Sequence, residues 1–221
     1  MAIINHSRKF IFVHVPKAAG TSVTNMLSKY TSYRDLEIGG TTFGEKIQSA
    51  FKKRFGISKH ATSSNLQAIV GEEEWDEMFT FSIVRNPYSR VISTYKFLNE
   101  WEGTPTKFKK ILAQFSDIND YILSNIWEES NGPDNIFRPQ TFWLTDNKDR
   151  SKILVNFVGR LETLDNDLNH IISKIEGIKI EKKQAPQLNK TSGNFTLSKK
   201  SIDKINEFYS RDFHFWGYEK Q

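Results

Sequence analysis

The chain has 221 residues, 38% of them hydrophobic and 13% aromatic, which is enough for a single α/β domain with a sizeable core. No apolar run approaches the ~18 residues that cross a bilayer, and the absence of cysteine excludes disulfides and thiolate metal sites. The net charge of +5 suits an anionic ligand, but the lysines fall in short clusters such as Lys52-Lys53-Arg54 that read as solvated helix faces, not as a nucleic-acid surface.

The first stretch, MAIINHSRKFIF, runs straight into a strand without a small-residue cleavage site, so it does not read as a signal peptide. With no cysteine to protect, the expectation is a soluble, cytoplasmic protein. Phe10 to Val15 is an unbroken apolar and β-branched run, the pattern of a strand buried on both faces of a parallel sheet. Pro16 ends it, Gly20 permits a close approach, and Thr21 or Ser22 can cap a helix through Val23, Met26 and Leu27.

Tyr33 to Ile38 reads as a short strand and Phe43 to Phe55 as a helix. After a turn at 56–60, Thr62 or Ser63 caps a helix that Gly71 stops. Glu72 to Trp75 reads as an exposed turn. Met78 to Val84 is a second buried strand with Arg85 at its carboxyl end; Asn86 and Pro87 then start a helix to about Trp101. Two helices follow at 107–115 and 117–127, and Asn131-Gly132-Pro133 marks a turn. Phe137 to Leu144 is an aromatic core plug. Lys152 to Val158 reads as a strand closed by Gly159-Arg160, and Leu161 to Ile175 as a long amphipathic helix. A polar loop spans 181–195, and a last helix runs from Ser198 to Tyr209. The fold class is α/β: a single domain with a parallel sheet of four or five strands flanked by helices.

Two stretches carry chemistry. Strand, small-residue loop with a lysine, then helix N-terminus is a phosphate cradle: loop N–H groups and the helix dipole face the anion, and Lys17 adds a full charge. The order is not that of a nucleoside-triphosphatase loop, because Lys17 precedes Gly20 and the hydroxyls follow it. Arg85, at a strand end, can offer a planar fork to a second phosphate.

VPKAAGTS resembles the phosphosulfate-binding loop of the sulfotransferases that use PAPS (phosphoadenosine phosphosulfate), in the branch that includes carbohydrate O-sulfotransferases and their bacterial relatives. FSIVRNPYSRVIS, from Phe81 to Ser93, resembles that family's motif for the ribose 3′-phosphate, and FVGRLETL, QLNKTSG and RDFHFWGY resemble later landmarks in their usual order. The resemblance covers nearly the whole chain. It implies a P-loop-like sulfotransferase fold and PAPS-dependent sulfation of a hydroxyl, most of all on a carbohydrate. Its partners are then a nucleotide donor and a sugar acceptor, with no nucleic acid, no inserted membrane segment and no metal.

By the same resemblance, Lys17 is catalytic and touches the donor together with Ala18, Ala19, Gly20, Thr21 and Ser22, while Arg85 and Ser93 hold the 3′-phosphate. Arg160 and Lys190 are further cofactor contacts. His60, between the two motifs, is the acceptor-side base, with Glu45 and Glu74 as alternatives. His14 reads as a buried core histidine. The rival class is a small-molecule or nucleotide kinase, which should show GK[ST] order and an acidic Mg²⁺ ligand where this chain has Arg85.

Overall fold

The computed structural model describes residues 2–130, 135–178 and 195–221, and it opens on a strand that the sequence pattern does not mark. β1 (Ala2–Asn5) pairs antiparallel with β2 (Phe10–Val13), in the register Ile3 to Phe12 and Ile4 to Ile11. The polar loop between them is tied by the Asn5 side chain, which accepts from the Arg8 N–H at 2.8 Å, and Lys9 takes a left-handed φ of 52°. β3 (Leu36–Ile38) lies antiparallel on the outer side of β1. β4 (Phe79–Val84) pairs parallel with β2, and β5 (Phe157–Arg160) parallel with β4. The order is β3-β1-β2-β4-β5. The sheet is therefore mixed, parallel only across β2, β4 and β5, because a four-residue hairpin arm too short to announce itself lies between β3 and β2.

β5 starts later than the expected strand over 152–158. Asn156 exchanges hydrogen bonds with Thr80, its Oδ1 accepting from the Thr80 N–H and hydroxyl at 2.8 Å each, and ladder pairing begins only after it. Gly159 and Arg160 thus belong to the strand instead of closing it.

The chain divides into two compact units, Met1–Val84 with Thr141–Leu188 and Arg85–Gln140 with Asn189–Gln221. The first holds the sheet. Its core joins Ile3, Phe10, Phe12, Phe81 and Ile83 to Val23, Met26 and Leu27 of α1 (Gly20–Leu27) and to Leu168 and Ile171 of α10 (Leu164–Ser173). Side chains of this kind contribute about 1.5–3 kcal/mol each when fully buried. The same unit holds α2 (Thr42–Phe55), α3 (Ser63–Val70), α4 (Glu72–Glu77) and the short α9 (Thr141–Leu144). α4 replaces the expected exposed turn: Trp75 is buried and its indole N–H donates to the Leu154 carbonyl at 3.2 Å, which anchors the acidic segment as a helix.

In the second unit, α5 (Pro87–Glu100), α6 (Thr106–Leu112), α7 (Ile118–Leu123), α8 (Ile126–Ser130), α11 (Lys199–Phe208) and α12 (Ser210–Trp216) enclose their own core. Val91, Leu98, Tyr121, Trp127, Phe137 and Tyr209 are among its buried members. Phe137 and Gln140 are fully buried here, and Trp143 and Leu144 are buried in the first unit, as a core plug requires. Among the described residues no helix is long and apolar enough to cross a membrane.

Candidate active site

β2 ends in a loop whose backbone is unusual in a specific way. Lys17 has φ 64° and Ala19 φ 62°, both left-handed, while Ala18 and Gly20 lie outside that region. A non-glycine residue there costs about 1–2 kcal/mol. The turn is held by the Ala18 N–H donating to the Val15 carbonyl at 3.4 Å and the Val23 N–H to the Ala19 carbonyl at 3.2 Å. Alternation of this kind turns successive N–H groups toward one concavity, the geometry of an anion nest. α1 begins at Gly20 with Ala19 at its N-cap, and no side chain caps it. Thr21 and Ser22, expected as caps, instead sit inside the first turn, because the helix starts two or three residues earlier than their hydroxyls required. A helix start without a cap, beside a nest and a lysine, fits the phosphate end of a nucleotide donor.

Gly20 is required for a reason other than ligand approach. A Cβ built on it would lie 1.9 Å from Cδ2 and Nε2 of His14. The His14 ring, which follows directly on β2 and is almost entirely buried, therefore rests on the first residue of α1. On its other side it meets His60, with ring centroids 4.7 Å apart at 31°. Burial above all, with help from the His60 ring and the Lys59 charge, holds the His14 imidazole well below its ordinary value, against a hydrogen bond with the Lys59 backbone that works the other way. His60 lies half-buried in the turn before α3, which Thr62 caps by accepting from the Asn65 N–H.

The two alternative bases are otherwise engaged. Glu45 Oε1 accepts from the Gly40 N–H at 3.0 Å and lies 3.5 Å from the Lys59 ammonium, while its Oε2 accepts from Gln48. Burial works to raise this carboxyl, but the Gly40 N–H and Lys59 outweigh it and hold it below the ordinary carboxylate value, which weakens it as a base. Glu74 pairs with His6 at 2.6 Å.

Arg160 ends β5 opposite Val84 of β4, so it stands at the carboxyl edge of the sheet, its side chain exposed and its N–H donating to Asp167 at 2.8 Å. This edge is where open α/β sheets bind ligands. Within the first unit, the sequence-predicted residues Lys17 to Ser22, His60 and Arg160 thus come to the loops and strand ends of one sheet.

Arg85 follows β4 directly and begins the second unit. Its backbone is clamped by a residue that sequence reasoning missed. The Gln140 amide, fully buried, accepts from the Arg85 N–H and donates to the Arg85 carbonyl, both at 2.8 Å, as a neighbouring strand would. Gln140 is held in turn by Asp212, which accepts its N–H at 2.7 Å. The only sequence signal was a glutamine inside an otherwise aromatic segment. Asn86 caps α5 by accepting from the Tyr88 and Ser89 N–H groups, with Pro87 at the first helical position, as expected. Ser89 and Ser93 are one turn apart and both half-exposed. Arg90 is buried and donates to the carbonyls of Arg138 (3.0 Å) and Ile136 (2.8 Å), so it serves the frame and not a ligand. Lys190 lies outside the described residues.

Strand, left-handed loop and uncapped helix give an α/β protein with the local geometry of an anion nest. A sequence model of the sulfotransferase family matches residues 1–219, and the chain belongs to that family. It is an enzyme that transfers sulfate, a reaction for which the family draws on PAPS. No curated protein and no solved structure gives a significant match to it.

Proposed function

We propose that the enzyme moves a sulfuryl group from PAPS to the hydroxyl of a carbohydrate, without a metal. The observation that carries this reading is the loop at the end of β2, where Lys17 and Ala19 both take strained left-handed backbone directly before an uncapped helix start. PAPS supplies an activated sulfuryl group on its 5′-phosphate. The backbone of Ala18 to Ser22 holds that phosphate; Arg85, with its backbone fixed by Gln140, and Ser93 take the separate 3′-phosphate. Arg160 and Lys190 add positive charge to the same ligand.

In the transfer, the acceptor oxygen forms its bond to sulfur as the bond from sulfur to the bridging oxygen breaks. The electron pair stays with the leaving phosphate and its charge is stabilised by Lys17. The acceptor proton goes to the imidazole of His60. The engagement of Glu45 and Glu74 with other partners supports His60 in this role. The products are a sulfated sugar and adenosine 3′,5′-bisphosphate.

Calorimetric titration with the 3′,5′-bisphosphate and with the 5′-monophosphate tests the donor assignment. The bisphosphate should bind more tightly, and equal affinities would overturn it. Transfer of labelled sulfate to a panel of oligosaccharides, run with chelator present, tests the rest. An absolute Mg²⁺ requirement would point to phosphoryl transfer instead. His60→Ala should bind the bisphosphate as wild type does but lose roughly 10²-fold in turnover, the usual worth of a positioned base.

A further inference from the structure

The His14 ring touches the donor loop on one side and the proposed acceptor-side base on the other. A methyl group on Gly20 would fall 1.9 Å from two of its ring atoms, so α1 can start where it does only with glycine at that position. Gly20 lies outside the left-handed region, so the requirement is one of space alone. His60 stacks obliquely against the ring, with centroids 4.7 Å apart. A phenylalanine or leucine would fill this volume equally well and would suit the β2 run better, since its neighbours Val13 and Val15 are buried and apolar. An imidazole at this place carries a desolvation cost that a packing role does not explain.

We infer that His14 is a positioning residue: backed by the α1 start at Gly20, it sets the orientation of the His60 imidazole, and so links the seating of the donor phosphate to the readiness of the base. The inference rests on the reading of His60 as that base. It makes Gly20 a specificity element of the pair, not a phosphate-approach glycine.

The test is a double-mutant cycle on turnover, read with bisphosphate affinity, thermal melts and the ¹H–¹⁵N ring signals of His60. His14→Phe keeps the ring against Gly20 and loses the imidazole nitrogens. It should melt as a folded protein, bind the bisphosphate within about threefold of wild type, shift the His60 ring signals, and lose roughly tenfold or more in turnover, as a misaligned catalytic group does. The double variant His14→Phe with His60→Ala should be no slower than His60→Ala alone, because His14 acts through His60.

Gly20→Ala approaches the same ring from behind and leaves its nitrogens intact. At saturating donor, which sets aside its place in the phosphate-holding backbone, it should lose turnover in wild type and lose none further in the His60→Ala background, which keeps the cycle decisive if His14→Phe fails to fold. Turnover of His14→Phe within twofold of wild type, with unmoved His60 signals and a crippled His60→Ala, would overturn the inference and leave the base assignment standing. Multiplicative losses in the double variants would also overturn it, as the mark of an independent packing role. Near-normal turnover of His60→Ala alone would remove the base assignment and the inference with it.

Discussion

The donor loop and the Arg85 corner are built by opposite rules. At the Arg85 corner every local preference is honoured. Asn86 caps the helix, Pro87 occupies the position where its missing N–H costs nothing, and the Arg85 N–H and carbonyl both find the Gln140 amide. In the loop after β2 the preferences are broken. Lys17 and Ala19 occupy left-handed backbone that glycine would take more cheaply, the glycine sits in the helix, and no side chain caps α1. Satisfied corners hold a side chain ready; strained, uncapped ones leave their hydrogen bonds to be completed by a ligand. On the proposed reading, the contrast suits the loop to the group whose charge changes during the reaction and Arg85 to a phosphate that only anchors.

Two variants sharpen that division. Lys17→Ala should lose the most, on the order of 10²–10³-fold in turnover, the range found when one charge-stabilising donor is removed from a reacting centre. It should weaken donor binding as well. Arg85→Ala should cost about 1.5–3 kcal/mol of bisphosphate affinity, as expected for a hydrogen bond to a charged group. Its turnover at saturating donor should be largely kept. Single-turnover kinetics at saturating PAPS separate the two effects. If Arg85→Ala loses turnover as severely as Lys17→Ala, the anchor and the reacting end are not divided as the backbone suggests.

Most of the frame was legible because it obeys local rules. The apolar runs before Pro16 and before Arg85, the Asn86-Pro87 start and the Thr62 to Gly71 helix all fall as their residues dictate. What escaped has physical causes of its own. β1 is four residues long and has no alternation, so it shows only once paired with β2. Trp75 becomes an anchor through the Leu154 carbonyl, and Gln140 a clamp through the backbone of Arg85; both contacts span more than fifty residues. The Thr21 and Ser22 hydroxyls looked like caps because a helix was expected to start at a residue that can cap it, and here it does not. His14 was legible as a buried histidine, but its contact with Gly20 and His60 was not.

The burial of His14 also gives the protein a pH-dependent stability. Its imidazole titrates well below the ordinary value of 6.5 when folded, so between the two values the unfolded chain binds the proton and the folded one does not. Stability therefore rises with pH through that window and is lost as pH falls below about 6.5. One such group can contribute a slope of at most ~1.4 kcal/mol per pH unit. Melting wild type and His14→Phe from pH 7.5 down to pH 5.5 isolates the contribution, with the variant expected to show the flatter curve. Parallel curves would mean that the buried ring is protonated without penalty.

The smallest effect should come from Ala19→Gly, and its sign is the point. Ala19 holds φ 62° at the N-cap of α1 without a capping bond. Glycine populates that region freely, so the substitution removes a left-handed penalty of about 1–2 kcal/mol from the folded state. Against it stands the greater freedom of glycine in the unfolded chain, worth about 0.4–1 kcal/mol. The melt should therefore be unchanged or slightly raised, whereas the same replacement inside a regular helix destabilises. Donor binding should weaken, by roughly threefold, because the loop then has other conformations to give up when the phosphate is seated. A clear loss of stability, comparable to a glycine placed within a helix, would show that Ala19 bears no strain, and the contrast with the Arg85 corner would lose its basis.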